Sequence, residues 1–272
     1  MSEFPRFHYS PRKQRGGGKV VEQGGQDQRP NPQSWQKRAL YRYYQNRPGW
    51  VDGTEQFRSL IRAHVPPGGA ILEIGAGPSN KTTRFLAEIG EVTGIDLDPA
   101  VATNEACAHT HVYDGRAIPV PDSSFDACVS NYVLEHVEEP ATLLRECHRV
   151  LRPGGVIAFR TPNLWHYVSL IARLTPHSFH ERVALRAQNA SEDAHDPYPT
   201  FHRMNTRRTC TTLLESAGFE CVVLTCFEGE PSYGLFSRFA FYPLMLWERI
   251  LNSTNRLEDL RANIFCVARK LP

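Results

Sequence analysis

From Ala70 onward the chain alternates between short apolar runs and amphipathic stretches. "AILEIG" reads as a strand and "SNKTTRFLAEIG" as a helix. "VTGIDLD" is a second strand, and "PAVATNEACA" is a helix opened by Pro99, whose fixed φ suits a first helical turn. "HTHVYD" and "FDACVSNY" are strands. "PATLLRECHRVL" is a helix ended by Pro153-Gly154-Gly155, and "GVIAFRTP" is the next strand. Runs of strand length interleaved with helices predict an α/β fold built on a doubly wound, mostly parallel sheet. Right-handed crossovers then place helices on both faces.

The flanks differ from this centre. Met1 to Pro32 is rich in Gly, Gln, Arg and Pro and nearly devoid of aliphatic residues. Residues 1–33 are therefore expected to form a disordered leader, because they cannot bury enough apolar surface to offset the entropy of ordering. The same composition provides no signal-peptide core. Residues 34–69 predict a helical cap. In "SWQKRALYRYYQNRPGW" the residues Trp35, Leu40, Tyr43 and Tyr44 fall near helical spacing, and "GTEQFRSLIRAHVPPGG" has Thr54 as an expected N-cap. Residues 70–163 form the core, and residues 164–205 read as an insertion over the sheet edge. Residues 206–272 hold the helix "NTRRTCTTLLESAGF", the strands "ECVVLTCFE" and "ANIFCVARK", and an insertion at 231–258 between those strands. That insertion contains the most apolar stretch of the chain, "SYGLFSRFAFYPLMLWERIL". Its longest uncharged run, Phe239 to Trp247, is far too short to span a bilayer core of about 30 Å. The whole is thus a seven-stranded sheet with an N-terminal cap and a C-terminal insertion.

Composition narrows the function. With 31 Lys and Arg against 29 Asp and Glu, the net charge of +2 gives no strong field toward nucleic acid or acidic lipid. The 7 cysteines form no C-x-x-C pair and lie mostly in apolar runs, as small hydrophobes do. A reducing, cytoplasmic setting is expected, without a disulfide framework or a metal site.

The chemistry concentrates at two strand ends. Ligands of open parallel sheets sit beyond the carboxyl ends of the strands. Glu73 stands there in an otherwise apolar run, followed by Gly75-Ala76-Gly77. The next strand ends on Asp96, an acid suited to the two hydroxyls of a ribose. A dinucleotide site would require a third glycine and free backbone N–H groups for pyrophosphate. This chain has Pro78-Ser79-Asn80 instead. A carboxylate at Glu73 suits a cofactor with a cationic end.

The segments "ILEIGAGPSNKTTRFLA", "VTGIDLDP" and "FDACVSNYVLEHVEEPATLLRECHRVLRPGGVIAFRTPN" resemble the class I S-adenosylmethionine (SAM)-dependent methyltransferases, on the small-molecule branch that includes the quinone-biosynthesis enzymes. The resemblance covers about Ala70 to Asn163 and the last two strands. It implies a Rossmann-like methyltransferase fold with SAM as cofactor and S-adenosylhomocysteine as product. It implies that Glu73 orients the glycine loop, that Gly75, Ala76 and Gly77 pack on the cofactor, and that Asp96 binds ribose with Leu97 against adenine. Asp114 with Gly115 would receive the adenine amino group, and Asn131 would face the methionine moiety.

Methyl transfer from a sulfonium needs chiefly alignment and exclusion of water, with a general base where the acceptor is a hydroxyl. His136, His195 and His202 are the candidate bases, with Glu135 orienting His136 or solvated. Tyr43, Tyr44, Trp50 and Tyr198 are candidates for the acceptor pocket, with packing of the cap as the other reading of the first three. The expected acceptor is a small molecule methylated on oxygen. A nucleic-acid or protein methyltransferase is the alternative enzyme reading, motivated by the basic leader. It is opposed by "SNYVLEH", where base-modifying enzymes carry an Asn/Asp-Pro-Pro-aromatic motif. A non-catalytic SAM-fold binding subunit is the alternative from another class. The apolar insertion has three readings: a packed lid, a contact for a lipid-linked or membrane-surface acceptor, and a homodimer interface.

Overall fold

The computed structural model describes residues 34–174 and 198–271. The expected leader and most of the insertion at 164–205, including His195, lie outside the described residues. Seven strands form one sheet: β1 (Gly69–Ile74), β2 (Gly90–Asp96), β3 (His109–Val112), β4 (Phe125–Asn131), β5 (Leu151–Pro162), β6 (Phe219–Phe227) and β7 (Asn263–Lys270). Their order is β3-β2-β1-β4-β5-β7-β6. The pairings from β3 to β5 are parallel, and β7 runs antiparallel to both β5 and β6. This is the doubly wound, mostly parallel sheet that the alternating pattern predicts.

Alternate residues of β1 feed two cores. Ile71 packs with Phe57 and Ile61 of α2 (Gly53–His64) and with Phe85 and Leu86 of α3 (Lys81–Ala87). Leu72 and Ile74 face the other side, toward Leu143 and Leu144 of α4 (Pro140–Val150) and Leu214 of the helix Arg207–Ser216. A strand buried on both faces has no solvated side, so its one charged residue must be held by neighbours at the sheet edge.

Local chemistry shifts several expected boundaries. Asp52, not Thr54, caps α2; its Oδ1 accepts from the N–H groups of Thr54 and Glu55 at 2.8 and 3.0 Å. "PAVATNEACA" forms only a 3₁₀ turn, Pro99–Thr103, capped by Asp98. Asn104 stops it, because the Asn104 amide donates to the carbonyls of Ala76 and Gly77 at 3.2 and 3.1 Å. A side chain committed elsewhere competes with helix propagation.

At the N-terminus, α1 (Trp35–Leu40) widens into a π turn, Tyr41–Gln45. Following the short α5 (Tyr167–Leu174) and α6 (Arg207–Ser216), the apolar insertion supplies α7 (Arg238–Asn252). Tyr44, Ala39 and Phe241 form a third cluster with Trp35, Tyr43 and Trp50, which joins cap to insertion. The buried Tyr44 hydroxyl donates to Glu248 Oε2 at 3.0 Å. Burial and the adjacent Glu248 carboxylate raise the Tyr44 pKa well above its usual value.

Cap and insertion thus stabilise one another across 204 residues of sequence. Tyr44→Phe removes one of two donors near a buried carboxylate oxygen, leaving the Arg249 Nε at 3.3 Å, and should lower unfolding stability in urea by about 1 kcal/mol. Phe241→Ala opens a cavity in the same cluster and should lower it by about 3 kcal/mol or more. Unchanged midpoints would show that the cap unfolds separately from the sheet.

Candidate cofactor and acceptor site

The carboxyl ends of β1, β2 and β4 lie side by side, since Glu73 pairs with Gly94 and with Val129 in register. Gly75 and Gly77 both adopt positive φ, at +77° and +55°. A side chain at Gly75 would collide with Val133, whereas Gly77 opens onto free space. Only glycine serves a turn that must be left-handed and also closely packed. The loop is anchored from behind. Asn80 caps α3 through Thr83 N–H at 2.8 Å, and its amide donates to Ala76 O at 2.6 Å and weakly to Glu73 Oε1 at 3.4 Å.

Glu73 itself is buried, and its Oε2 has no hydrogen-bond partner. Burial pushes its pKa up to about 7, and the Asp96 charge adds to the rise, while Thr83 and Asn80 oppose it. An unpaired carboxylate oxygen at a glycine turn is a site for donors or positive charge. Asp96 is better satisfied: Gly77 N–H and Asp98 N–H donate to its two oxygens, each at 2.9 Å. Leu97 is exposed beside it, within reach of the positive-φ Gly115. Asp114 is exposed and accepts from the N–H groups of Arg116 and Ala117 at 2.8 and 3.0 Å, which holds its carboxyl below the usual carboxylate range.

At the end of β4, the Asn131 amide donates to Thr82 Oγ1 at 2.8 Å, and its Oδ1 accepts from Arg160 Nε at 2.7 Å. Arg160 is buried between aromatic faces, 4.4 Å from the Tyr132 ring centroid and 5.5 Å from that of Phe57. Tyr132 is held at φ +58°, unusual for a bulky residue, and its hydroxyl donates to Asn263 Oδ1 at 2.9 Å. The cation–π contact and that hydrogen bond offset the strain. Sequence reasoning missed Arg160, although its signal matches that of Glu73: one charge inside an apolar strand. Asn104 was missed because it acts on backbone 27 and 28 residues away, which a single sequence does not display; Asn80 acts locally, and its position just before α3 was the signal for a cap.

The candidate bases assemble in part. The turn Leu134–His136 follows β4, and the segment Tyr198–Asn205 folds back over it. Phe201 and His202 donate their N–H groups to Glu135 O at 2.8 and 3.1 Å. His136 Nδ1 lies 3.0 Å from Pro199 O, and its ring centroid is 6.1 Å from that of Tyr198. A carbonyl only accepts, so Nδ1 carries the proton and Nε2 keeps the lone pair. The Tyr198 pKa is raised by partial burial and, to a lesser degree, by the charges of Asp96 and Asp98. Glu135 is neither solvated nor bonded to His136; it is buried and accepts from Thr161 Oγ1 at 3.0 Å. Tyr44, buried and bonded to Glu248, is a packing residue with no surface for an acceptor, and Tyr43 packs on Phe241 and Tyr242. Trp50 is half-buried against Tyr44.

The sheet order, the glycine turn after β1 and the acid ending β2 define a class I SAM-dependent methyltransferase fold. Residues 72–159 match the methyltransferase domain family. A Mycolicibacterium smegmatis protein named "Probable S-adenosylmethionine-dependent methyltransferase" is 34% identical over 164 residues, covering 58% of this chain and 54% of that relative. This chain therefore spans about half the length of that curated relative. A malonyl-[acyl-carrier protein] O-methyltransferase of Serratia marcescens is 37% identical over 100 residues, 35% of this chain and 39% of its own length. The crystal structure of the [4+2]-cyclase SpnF superimposes with a TM-score of 0.52 at 19% identity, covering 84% of this chain and 86% of that one.

The residues fit the family's cofactor, SAM: an orphaned buried carboxylate oxygen, a glycine cradle and a second acid, Asp96, converge at one edge. Glu73 also sets a pH test. Its protonation favours the fold, an effect fully present below about pH 4.5 and lost as pH rises through about 7. Glu73→Gln should remove this dependence and raise unfolding stability at about pH 8 by about 2 kcal/mol, while weakening SAM binding. Urea titrations across that range, paired with calorimetric binding, check both signs; a variant less stable at high pH would refute the desolvation argument.

Proposed function

We propose that the protein transfers a methyl group from SAM to the oxygen of a small-molecule acceptor. The observation that carries this reading is the unpartnered Glu73 carboxylate oxygen beside the glycine turn, with Asp96 at the neighbouring strand end. When bound, SAM supplies a methyl group activated by a sulfonium leaving group. The chain's residues do the rest. Asp96 and Leu97 hold the nucleoside, with Asp114 and Gly115 at the base. Glu73 and the loop Gly75-Ala76-Gly77 fix the amino-acid end. Arg160 and Thr82 lock the Asn131 side chain, so that the end of β4 presents one fixed surface to the methionine moiety.

His136 is the residue we assign as general base, because its Nδ1–H is directed at Pro199 O and its Nε2 retains a lone pair. His202 and Tyr198 border the acceptor side of the same cluster. The resemblance to a relative named as an O-methyltransferase supports oxygen as the target. All 7 cysteines are unpaired, which supports a reducing, cytoplasmic setting.

Titration with S-adenosylhomocysteine tests the cofactor reading. Binding should weaken by about 2 kcal/mol or more in Asp96→Ala, as expected for hydrogen bonds to a charged acceptor. Absence of binding to the unmodified protein would overturn the reading. For the base, His136→Ala should lower kcat at neutral pH by about 100-fold with cofactor affinity retained. An acceptor screen that yields turnover only on amines or carbon would sink the assignment to oxygen.

A further inference from the structure

We propose that α7 is a membrane-surface element whose outer face enters the interface of an anionic lipid bilayer. The inference is independent of which acceptor is methylated. Helix α7 turns Phe241, Glu248 and Leu251 inward. Its opposite side carries Phe239, Tyr242, Leu246 and Ile250, at spacings of 3, 4 and 4 residues, which puts them on one face. Phe239 is 94% exposed and Leu246 61% exposed. Trp247 flanks them, and Phe236, 59% exposed, extends the strip beyond the N-terminus of α7. Scattered apolar residues at a surface are ordinary, but a contiguous aromatic and aliphatic helix face in water is not. Among the described residues no helix is long and apolar enough to cross a membrane, so the face can lie in a bilayer surface but not span it.

The charge around this face selects the occupant. Residues 34–51 of the cap contain Lys37, Arg38, Arg42 and Arg47 and no Asp or Glu. The cap lies against the same helix: Trp35 packs on Phe241 with centroids 6.0 Å apart, and Tyr43 on Tyr242 at 6.0 Å. Arg42 sits 5.5 Å over Tyr43, and Arg238 sits 5.7 Å over Trp35, so guanidinium groups rim the Tyr242 side of the apolar strip. Arg249, on the same side, is turned back into the protein, paired with Glu248 at 3.3 Å and bonded to Tyr43 O at 3.0 Å, so the rim charge comes from Arg42 and Arg238. The one acid of α7, Glu248, is turned inward to Tyr44. An apolar face with Phe, Trp, Leu and Ile, rimmed by Arg and free of outward carboxylates, matches the chemistry of anionic headgroups over acyl chains. A second copy of the chain would bring like charges together around the same strip. The placement also brings the cap, and the sheet edge beneath it, to the lipid surface, where an apolar acceptor would partition.

Co-sedimentation of the full chain with vesicles tests the proposal, using phosphatidylcholine alone and phosphatidylcholine with about a quarter phosphatidylglycerol. The chain should bind the anionic vesicles, more weakly as salt rises, and hardly at all to the neutral ones. Phe239→Ser/Leu246→Ser alters only exposed side chains and should reduce binding about tenfold or more without shifting the thermal midpoint. Arg42→Gln/Arg238→Gln should remove most of the preference for anionic lipid, and it serves as the second variant should the first fail to fold. Failure to bind anionic vesicles at low salt, or equal binding by the serine variant, overturns the proposal. So does a dimer in light scattering that the serine variant dissociates while vesicle binding is absent. S-adenosylhomocysteine titration of the same preparations separates this result from the cofactor reading.

Discussion

The carboxylate of Glu73 is the constraint around which the sheet edge is built. It stands one residue before the end of a strand buried on both faces, where an ionised group loses its water and must find donors nearby. The chain supplies few: a long contact from Asn80, and the neighbouring Thr83. One oxygen is left unpaired, and the pKa rises to about 7. A fold selected for stability alone would place an apolar residue there. Keeping an acid at that point costs stability and creates an environment that favours a cation-bearing ligand, which is the compromise expected of a binding site.

Around that carboxylate, the anchoring is indirect. Asn80 and Asn104 grip the carbonyls of the glycine turn from behind, leaving Gly77 open in front. Arg160 and Thr82 do the same for Asn131, and the Tyr132 ring that covers Arg160 is held in a strained conformation by its own hydrogen bond to Asn263. Polar groups that touch no ligand thus define the shape of the surface that does. The SpnF cyclase shares this fold while carrying a name from a different reaction class. The shared fold therefore does not by itself fix the reaction.

Much of this was legible in the chain. Short apolar runs and glycine punctuation are local signals, and they located the strands, the turn after β1 and the acids Glu73 and Asp96. Boundaries set by one side chain were less legible. Asp52 outcompeted Thr54 as a cap because its carboxylate accepts from two backbone N–H groups at once. Asn104 cut a predicted helix to a single turn because its amide was engaged by a loop 27 and 28 residues away. The aromatic residues of the cap were ambiguous, since a tyrosine that lines a pocket and one that packs a core have the same local pattern.

By itself, the sequence determined the parallel sheet, the glycine turn after β1 and the acids at the strand ends, because each depends on residues within a few positions of one another. Only the tertiary structure decided that Tyr44 packs rather than binds, that His136 meets Tyr198 while the His202 backbone is tied to Glu135, and that Arg160 steers Asn131. It also decided which side of the apolar insertion faces outward. Aromatic and aliphatic residues occupy both the inner and the outer side of α7, so residue type alone does not reveal its buried face; that face is chosen by the neighbour it meets, here a cap about two hundred residues earlier in the chain.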